Sequence, residues 1–557
     1  MSRMASGLAG KRFDVVVVGS GIGGLVAAAW AARAGLGVLV LEAAKQFGGY
    51  CNPFRRGKYR FDPGLHYIGE CGPGQIMTRV MSAVGLGDTV QFREIAADGI
   101  DRLIFPGYEI SMPRGADRYR DRLVRDFPHE REGIDRFFEI LRQFRAAIGA
   151  AEKLGDLAGL VEAAPHVPFL LKHLRATLSD VINPIIRDPL LRAVLAAQGG
   201  DYGLPPGRAS ALIGLGVIDH YLGGAYFPVG GAGALRDALV GTIKQHGGTM
   251  LRNTPVERIL LRNGRVTGVR TQGGDEVHTS TVVSNADASH TYRSLIGEEH
   301  LPFLLRRKTT KMRLSVASIC IFLGTDMDLG EAGMTDGNLW VYPTTDLDRF
   351  YEPLFHGKMP DLDFFFLSSP SLKDPGSPDG PPPGHDALEF VTLAPYEPFA
   401  PWEGGKSMRR GEAYEELKKQ LLDRYIPAME RFVPQLGQHI KVAEVATPVT
   451  NVTYATAPRG SIYGPESTPD QIGPFRYGAK GAFEGLYLCG ASTLGAGVVP
   501  AAASGLQAGK RAARFAQGKR PASVGATAAR DVPSSPRRDP APADAPLPAE
   551  APLPADA

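Results

Sequence analysis

The stretch VVVVGSGIGGLVAAAWAARAGLGVLVLE, Val15 to Glu42, reads as strand, turn, helix and strand. Val15 to Val18 are apolar without alternation, as in a central parallel strand buried on both faces. Gly19, Gly21 and Gly24 then follow the spacing G-x-G-x-x-G. The first glycine permits a tight turn, the second lets backbone approach a pyrophosphate, and the third lets the helix pack close to the strand. The helix expected from Ile22 to Ala34, which includes Gly23, turns its N-terminal amides and dipole toward the phosphates. Val38 to Leu41 form a second strand ending on Glu42, 18 residues after Gly24, where a carboxylate takes ribose hydroxyls and repels a 2′-phosphate. The glycine spacing alone is a weak signal, matched by any buried βαβ unit. Here strand, turn, helix, strand and acid agree, and the unit is read as a dinucleotide site. NAD and FAD both satisfy it.

The discrimination comes from the flanks. AAKQFGGYCNPFRRGKYRFDPGLHYIGE follows Glu42, and its Gly48 and Gly49 offer a second place where backbone can lie against a cofactor. An NAD domain would continue alternating strands and helices, and this chain does not. A distant piece, Phe227 to Asp287, reads as a glycine-rich turn, a helix from Ala234 to His246 and a meander of short strands. Its hairpin signals are Asn263-Gly264 and Gly273-Gly274. Near the end of the chain, GLYLCGASTLGAGVVPAAASGLQAG reads as a strand from Leu486 to Cys489, a glycine-rich loop and a helix beginning near Pro500, whose N-terminus favours negative charge.

Composition excludes other classes. With 62 basic against 59 acidic side chains in 557 residues, the formal charge is only +3 and no global field points to nucleic acid. Cys51, Cys71, Cys320 and Cys489 lack CxxC or zinc-ligand spacing, which fits a reducing compartment and no structural metal. No basic cap precedes an apolar core at the start, so a cytoplasmic location is expected. The longest uncharged run, between Asp14 and Arg33, approaches a bilayer-spanning length, but its glycines mark it as a strand-to-helix unit. From about Gly518 the chain turns to Pro, Ala, Ser and Asp with almost no aromatics, a composition expected to stay disordered.

The glycine turn with EAAKQFGG, the FPVGGAGAL turn, the TPVERI strand and the closing LYLCGAS with GAGVVPAAASG resemble the FAD-binding parts of the flavin-containing amine oxidase and phytoene desaturase superfamily. Within it, GGYCNPFRRGKYRFDPGLHYIGE and TPVTNVTYATAPRGSIYGP are most similar to the retinol saturase and carotenoid isomerase branch. The resemblance runs from about Asp14 to Gln517. It implies an α/β fold in which a Rossmann-type, amine oxidase-like FAD-binding domain is interleaved with a mixed α+β substrate domain. The expected boundaries are residues 1–68, 227–287 and 475–517 for the FAD-binding parts, 69–226 for a mostly helical substrate part, 288–474 for a substrate part with a sheet, and 518–557 for the tail.

By the same resemblance, Gly19, Gly21, Ile22, Gly23, Gly24, Glu42, Gly48 and Gly49 hold the ADP half of FAD, and Val256 meets the adenine through its backbone. Gly490, Ala491, Val498 and Val499 line the pyrophosphate and flavin. One departure stands out: many relatives follow the paired glycines with Arg, whereas Gly49 is followed by Tyr50 and Cys51, leaving Arg55 or Arg56 as substitutes. FAD carries the redox chemistry, so the protein needs an apolar tunnel and at most one acid or base. His66, Glu70 and Tyr454 are the candidates, since a His there transfers a proton at neutral pH; a structural His beside the cofactor fits as well. Asp62 reads as a backbone pin. The stretch PHVPFLLKHLRATLSDVINPIIRDPLLRAVLAA mixes apolar and basic residues as a membrane-dipping segment would, or as an ordinary helix pair with a solvated face would.

The function implied is an FAD-dependent oxidoreductase acting on CH–CH or C=C bonds of a polyene or isoprenoid lipid, as saturase, desaturase or isomerase, by hydride transfer at flavin N5. The expected partners are that lipid, an external electron carrier such as a quinone, and the inner face of a membrane through peripheral contact. An amine oxidase and a non-redox isoprenoid-binding escort resembling the Rab GDP dissociation inhibitors are the rivals. The intact glycines, Glu42 and the complete C-terminal loop weigh against the escort.

Overall fold

The computed structural model describes residues 7–152, 161, 163–404 and 409–519. The expected disordered tail lies outside the described residues apart from Gly518 and Lys519, which close the helix Val498–Lys519.

Two sheets organise the chain. The first is five-stranded, with every pair parallel and the spatial order Leu486–Leu488, Val282–Ser284, Val15–Val18, Val38–Leu41, Thr249–Leu251. Val15–Val18 is central and buried at all four positions, as its unbroken apolar run requires. Its strands come from three segments far apart in sequence, so the domain is interleaved. Asn263 and Gly264, both at positive φ (51° and 74°), make the two-residue turn joining Val256–Arg262 to Arg265–Thr271, the conformation that Asn-Gly favours.

Helix Ile22–Arg33 packs on the C-terminal helix Val498–Lys519 through small residues. A Cβ on Gly505 would lie 2.1 Å from the Gly23 carbonyl oxygen, and one on Gly509 would lie 2.9 Å from Ala27 Cα. Because the obstacle is backbone, Gly505→Ala should cost roughly 1–3 kcal/mol of stability. Thermal unfolding of the variant beside the parent tests this, and equal midpoints would mean the helices can part freely.

The second sheet has seven strands in the order Ile440–Ala446, Ala317–Thr325, Asp386–Ala394, Phe365–Ser368, Asn338–Val341, Asp101–Phe105, Tyr108–Met112. Four of these fall on apolar runs of the sequence, at residues 316–323, 339–342, 363–367 and 388–393. The last two come from the otherwise mostly helical residues 69–226: Asp101–Phe105 pairs in parallel with Asn338–Val341 and turns back on itself at Gly107 (φ 73°). A Pro-Gly pair between apolar runs signals such a turn, here at Pro106-Gly107. The sheet is covered on both sides. Ile319, Ile321, Phe365, Leu367 and Phe390 pack with Tyr414, Tyr425 and Met429 of helix Glu412–Glu430. The alternate residues of the same strands face a cavity. The basic-apolar stretch at 165–197 forms short helices, Val167–His173, Leu178–Ile182 and Pro189–Leu195. Among the described residues no helix is long and apolar enough to cross a membrane.

Candidate functional site

One cavity of about 590 Å³ lies between the two sheets. Of the residues expected at the cofactor, Gly19, Gly21, Ile22, Gly23, Glu42, Gly48, Gly49, Val256, Gly490, Ala491 and Val498 line it. Gly24 and Val499 stand behind the wall. A Cβ on Gly24 would fall 2.2 Å from the Gly19 carbonyl oxygen, so this glycine closes the turn on its own helix. Val499 is buried in the core.

The turn is braced by two side chains. Ser20 N–H and Oγ–H donate to Glu42 Oε2 at 2.8 and 2.5 Å, Ala44 N–H donates to Oε1 at 2.8 Å, and Gly48 N–H donates to the Ser20 carbonyl at 3.1 Å. Glu42 thus ties the turn to the 43–48 loop. The other brace, Asn285, had no role in the sequence reading. It follows the strand Val282–Ser284 and donates its N–H to Val18 O at 2.8 Å. A Cβ on Gly21 would lie 2.6 Å from Asn285 Nδ2, one on Gly23 2.7 Å from Oδ1, and one on Gly490 2.8 Å from Oδ1. Asn285 fills the inside of the turn and so gives a further reason for glycine at position 21.

Helix Ile22–Arg33 has no side-chain cap and no acid in its first turn, and Val498–Lys519 also lacks an early acid. Both leave free amides and a positive dipole end at the cavity. Ser461 Oγ, buried in the cavity wall, has no hydrogen-bond partner. A backbone cradle with no room for a Cβ, two anion-favouring helix ends and an unpaired buried hydroxyl fit FAD. Arg55 and Arg56 do not serve it: the hairpin Phe54–Arg56/Tyr59–Phe61 sends them to Asp379 and Glu444. Tyr50 lines the cavity, its phenol held far above the usual range by burial and by Cys320.

Beyond the cradle the wall is apolar, formed by Trp340, Phe364, Phe366, Val391 and Leu393. Period-two spacing along the strands accounts for this set. Glu389, on the same face as Val391, is fully buried. It accepts from Asp62 N–H at 2.7 Å and from His66 Nδ1 at 2.8 Å. That bond places the proton of neutral His66 on Nδ1 and leaves Nε2 without one. Asp62 Oδ1 accepts from Ala232 N–H at 3.0 Å, and burial raises its pKa to about 6 against the opposing Arg60.

Of the acid-base candidates, His66 and Tyr454 line the cavity, and Tyr454 is 55% exposed, so it marks the mouth. Glu70 does not line it. Its Oε2 accepts from Ile76 N–H at 3.3 Å, at the start of helix Ile76–Ala83. Arg459 pairs with Glu397, and Tyr463 donates to Gly200 O at 2.7 Å from inside the cavity wall.

An acid missing from the sequence reading completes the wall. Asp201 ends the 3₁₀ turn Ala197–Asp201 and lines the cavity with Tyr67. The turn is wedged under the sheet: a Cβ on Gly200 would lie 2.3 Å from the Trp340 ring. Tyr67 stacks on Tyr221 with centroids 4.2 Å apart, and its hydroxyl sits 3.1 Å from Asp201 Oδ2 and 3.2 Å from Asp101 Oδ2. No periodicity or motif in QGGDYG announced this acid.

The family model for flavin containing amine oxidoreductase matches residues 22–515. All-trans-retinol 13,14-reductase of Danio rerio is 30% identical over 473 residues, covering 81% of this chain and 77% of that protein. Prolycopene isomerase 1, chloroplastic, of an Oncidium hybrid cultivar is 29% identical over 521 residues, covering 90% and 84%. The solved structure of cyclohexylamine oxidase from Brevibacterium oxydans IH-35A superposes with a TM-score of 0.56 at 17% identity, covering 91% of this chain and 100% of that one, a likeness of fold. The protein is a redox enzyme with FAD as its cofactor, and the chain belongs to the flavin containing amine oxidoreductase family.

Proposed function

We propose that this FAD-dependent oxidoreductase acts on CH–CH or C=C bonds of a polyene or isoprenoid lipid. The observation that carries the reading is the continuity of one cavity from the glycine cradle to the wall of Trp340, Phe364, Phe366, Val391 and Leu393. An apolar wall of this kind suits a hydrocarbon, with few polar groups to fix its orientation. The likeness to a retinol reductase and a prolycopene isomerase supports a conjugated substrate. When bound, FAD supplies hydride exchange at N5. The chain's own task is to hold the lipid in the apolar slot, keep water from the reacting carbons, and handle one proton. A quinone-like electron carrier and peripheral membrane contact, which suit a lipid substrate, and a cytoplasmic setting, which suits the scattered cysteines, belong to the same proposal.

Anaerobic turnover with candidate polyenes, read by product mass, tests the reading: two hydrogens gained, two lost, or unchanged mass with altered geometry. Flavin reduction by amines with no response to any polyene would replace it with the amine oxidase reading. Glu42, placed to take ribose hydroxyls as well as Ser20 and Ala44, gives a second prediction. Glu42→Ala should weaken FAD by about 1.5–3 kcal/mol, the scale of charge-assisted hydrogen bonds. Equal dissociation constants by flavin fluorescence would move the ribose contact elsewhere.

A further inference from the structure

The buried polar groups around Tyr67 pose a problem of hydrogen counting. Tyr67 has one hydroxyl hydrogen and stands within hydrogen-bond distance of two carboxylates, Asp101 and Asp201. It donates to one of them only. The contact with the other is a hydrogen bond only if that carboxyl keeps its own proton and donates to the Tyr67 oxygen.

The remaining partners decide which one keeps it. Lys373 Nζ donates to Asn338 Oδ1, and because an ammonium accepts nothing, the Asn338 amide must turn Nδ2 toward Asp101 Oδ1, 3.0 Å away. Gln198 Nε2 donates to Asp101 Oδ2 at 2.8 Å. Asp101, fully buried, is thus ringed by donors and linked through Asn338 to a cation. Among the described residues, Asp201 has the Tyr67 hydroxyl as its one side-chain hydrogen-bond neighbour, and the groups around it are tyrosines, Tyr202, Tyr221, Tyr342, Tyr351 and Tyr463, with Asp101 beyond Tyr67.

We propose that Asp201 is kept as the neutral acid and delivers the proton to the polyene, so that the enzyme adds hydrogen to its substrate; this rests on the polyene reading above. Burial and the Asp101 charge hold the Asp201 carboxyl well above the usual carboxylate range, opposed only by the Tyr67 hydroxyl. Burial also raises Asp101, opposed by its hydrogen bonds from Asn338, Gln198 and Tyr67. The balance of the step is complete. One carbon of a C=C bond takes hydride from two-electron-reduced FAD, and its conjugated neighbour takes the proton from Asp201. The π bond is replaced by two C–H bonds, and the FAD is left oxidised. The Asp201 carboxylate regains a proton from water after product leaves, and an external two-electron carrier reduces the FAD again.

The test has two parts. On the FAD-loaded protein at rest, infrared difference spectra across a pH titration should contain the C=O stretch of a buried carboxylic acid at neutral pH. The band should shift in D₂O, vanish in Asp201→Asn and persist in Asp101→Asn. A missing band, or one that survives Asp201→Asn, overturns the proposal. In turnover, Asp201→Asn should keep its flavin and its substrate affinity while kcat falls by roughly 10² to 10⁴. Wild-type activity should fall as pH rises through the Asp201 titration, and Asp101→Asn, which removes a neighbouring negative charge, should move that alkaline limb to lower pH. Should Asp201→Asn lose its flavin, the Asp101→Asn limb carries the test, and a limb that stays put overturns the role. A product with two hydrogens fewer also overturns it, because a neutral acid cannot receive the proton. A wild-type band of the expected kind with no polyene turnover would instead sink the polyene reading, and proton delivery with it.

Discussion

Gly21→Val is expected to give a folded protein that purifies colourless. The added branched side chain points at Asn285, where even a Cβ would stand 2.6 Å from Nδ2. Asn285 is shared by three glycines, since its Oδ1 also lies where a Cβ on Gly23 or Gly490 would stand. Displacing it opens the glycine turn, the C-terminal loop at Gly490 and the bridge between Gly21 and Gly48. One substitution therefore disturbs three backbone segments that the cofactor must touch together. Absorbance of the purified variant checks the result, with the far-ultraviolet circular dichroism of the parent as the control for folding. Full flavin content in a folded Gly21→Val protein would falsify the assignment of this cradle to FAD.

The second large effect concerns stability. Lys373 is completely buried, and its ammonium donates to the carbonyl of His66 at 2.8 Å, to Ser368 Oγ at 2.5 Å and to Asn338 Oδ1. It is the cation that faces both Glu389 and Asp101. Lys373→Met keeps the volume but leaves the His66 carbonyl, Ser368 Oγ and Asn338 Oδ1 without their donor, at about 1–3 kcal/mol for a buried acceptor left unsatisfied. Urea unfolding is the measurement, and an unchanged midpoint would show that these acceptors do not depend on it. Burial lowers the Lys373 pKa to about 7, with Glu389 and Asp101 opposing. Below that value folded and unfolded chains both hold the proton. Between it and the ordinary lysine value the unfolded chain holds a proton that the folded chain has released, so stability contributed by this group rises with pH across the window. Lys373→Met should lack that rise.

Local sequence carried the cofactor half of the site. Strand, glycine turn, helix and terminal acid lie within Val15 to Glu42, and their conformations depend on neighbours a few residues away, as do the Asn263-Gly264 hairpin and the helix that follows Gly497. Apolar runs likewise announced four of the five sheet strands of residues 288–474, because a strand covered on both faces needs them; the edge strand Ile440–Ala446, partly exposed, has no such run. The strands Asp101–Phe105 and Tyr108–Met112 were harder to see, since Asp101, Arg102 and Glu109 interrupt their apolar pattern.

What decides the chemistry was settled by tertiary structure. Arg55, Arg56 and Glu70 stood close in sequence to the cofactor segment, yet a hairpin and a helix start turn them away. Asn285 reaches the glycine turn from a strand more than 200 residues later. Asp201 and Asp101 converge on Tyr67, and His66 meets Glu389, only because the second sheet is assembled from separate segments of the chain. A phosphate cradle is a local backbone shape, so contiguous residues spell it out. A proton site depends on which buried donors, acceptors and charges surround one carboxyl, and those neighbours are chosen by long-range pairing that leaves no periodic mark on the sequence.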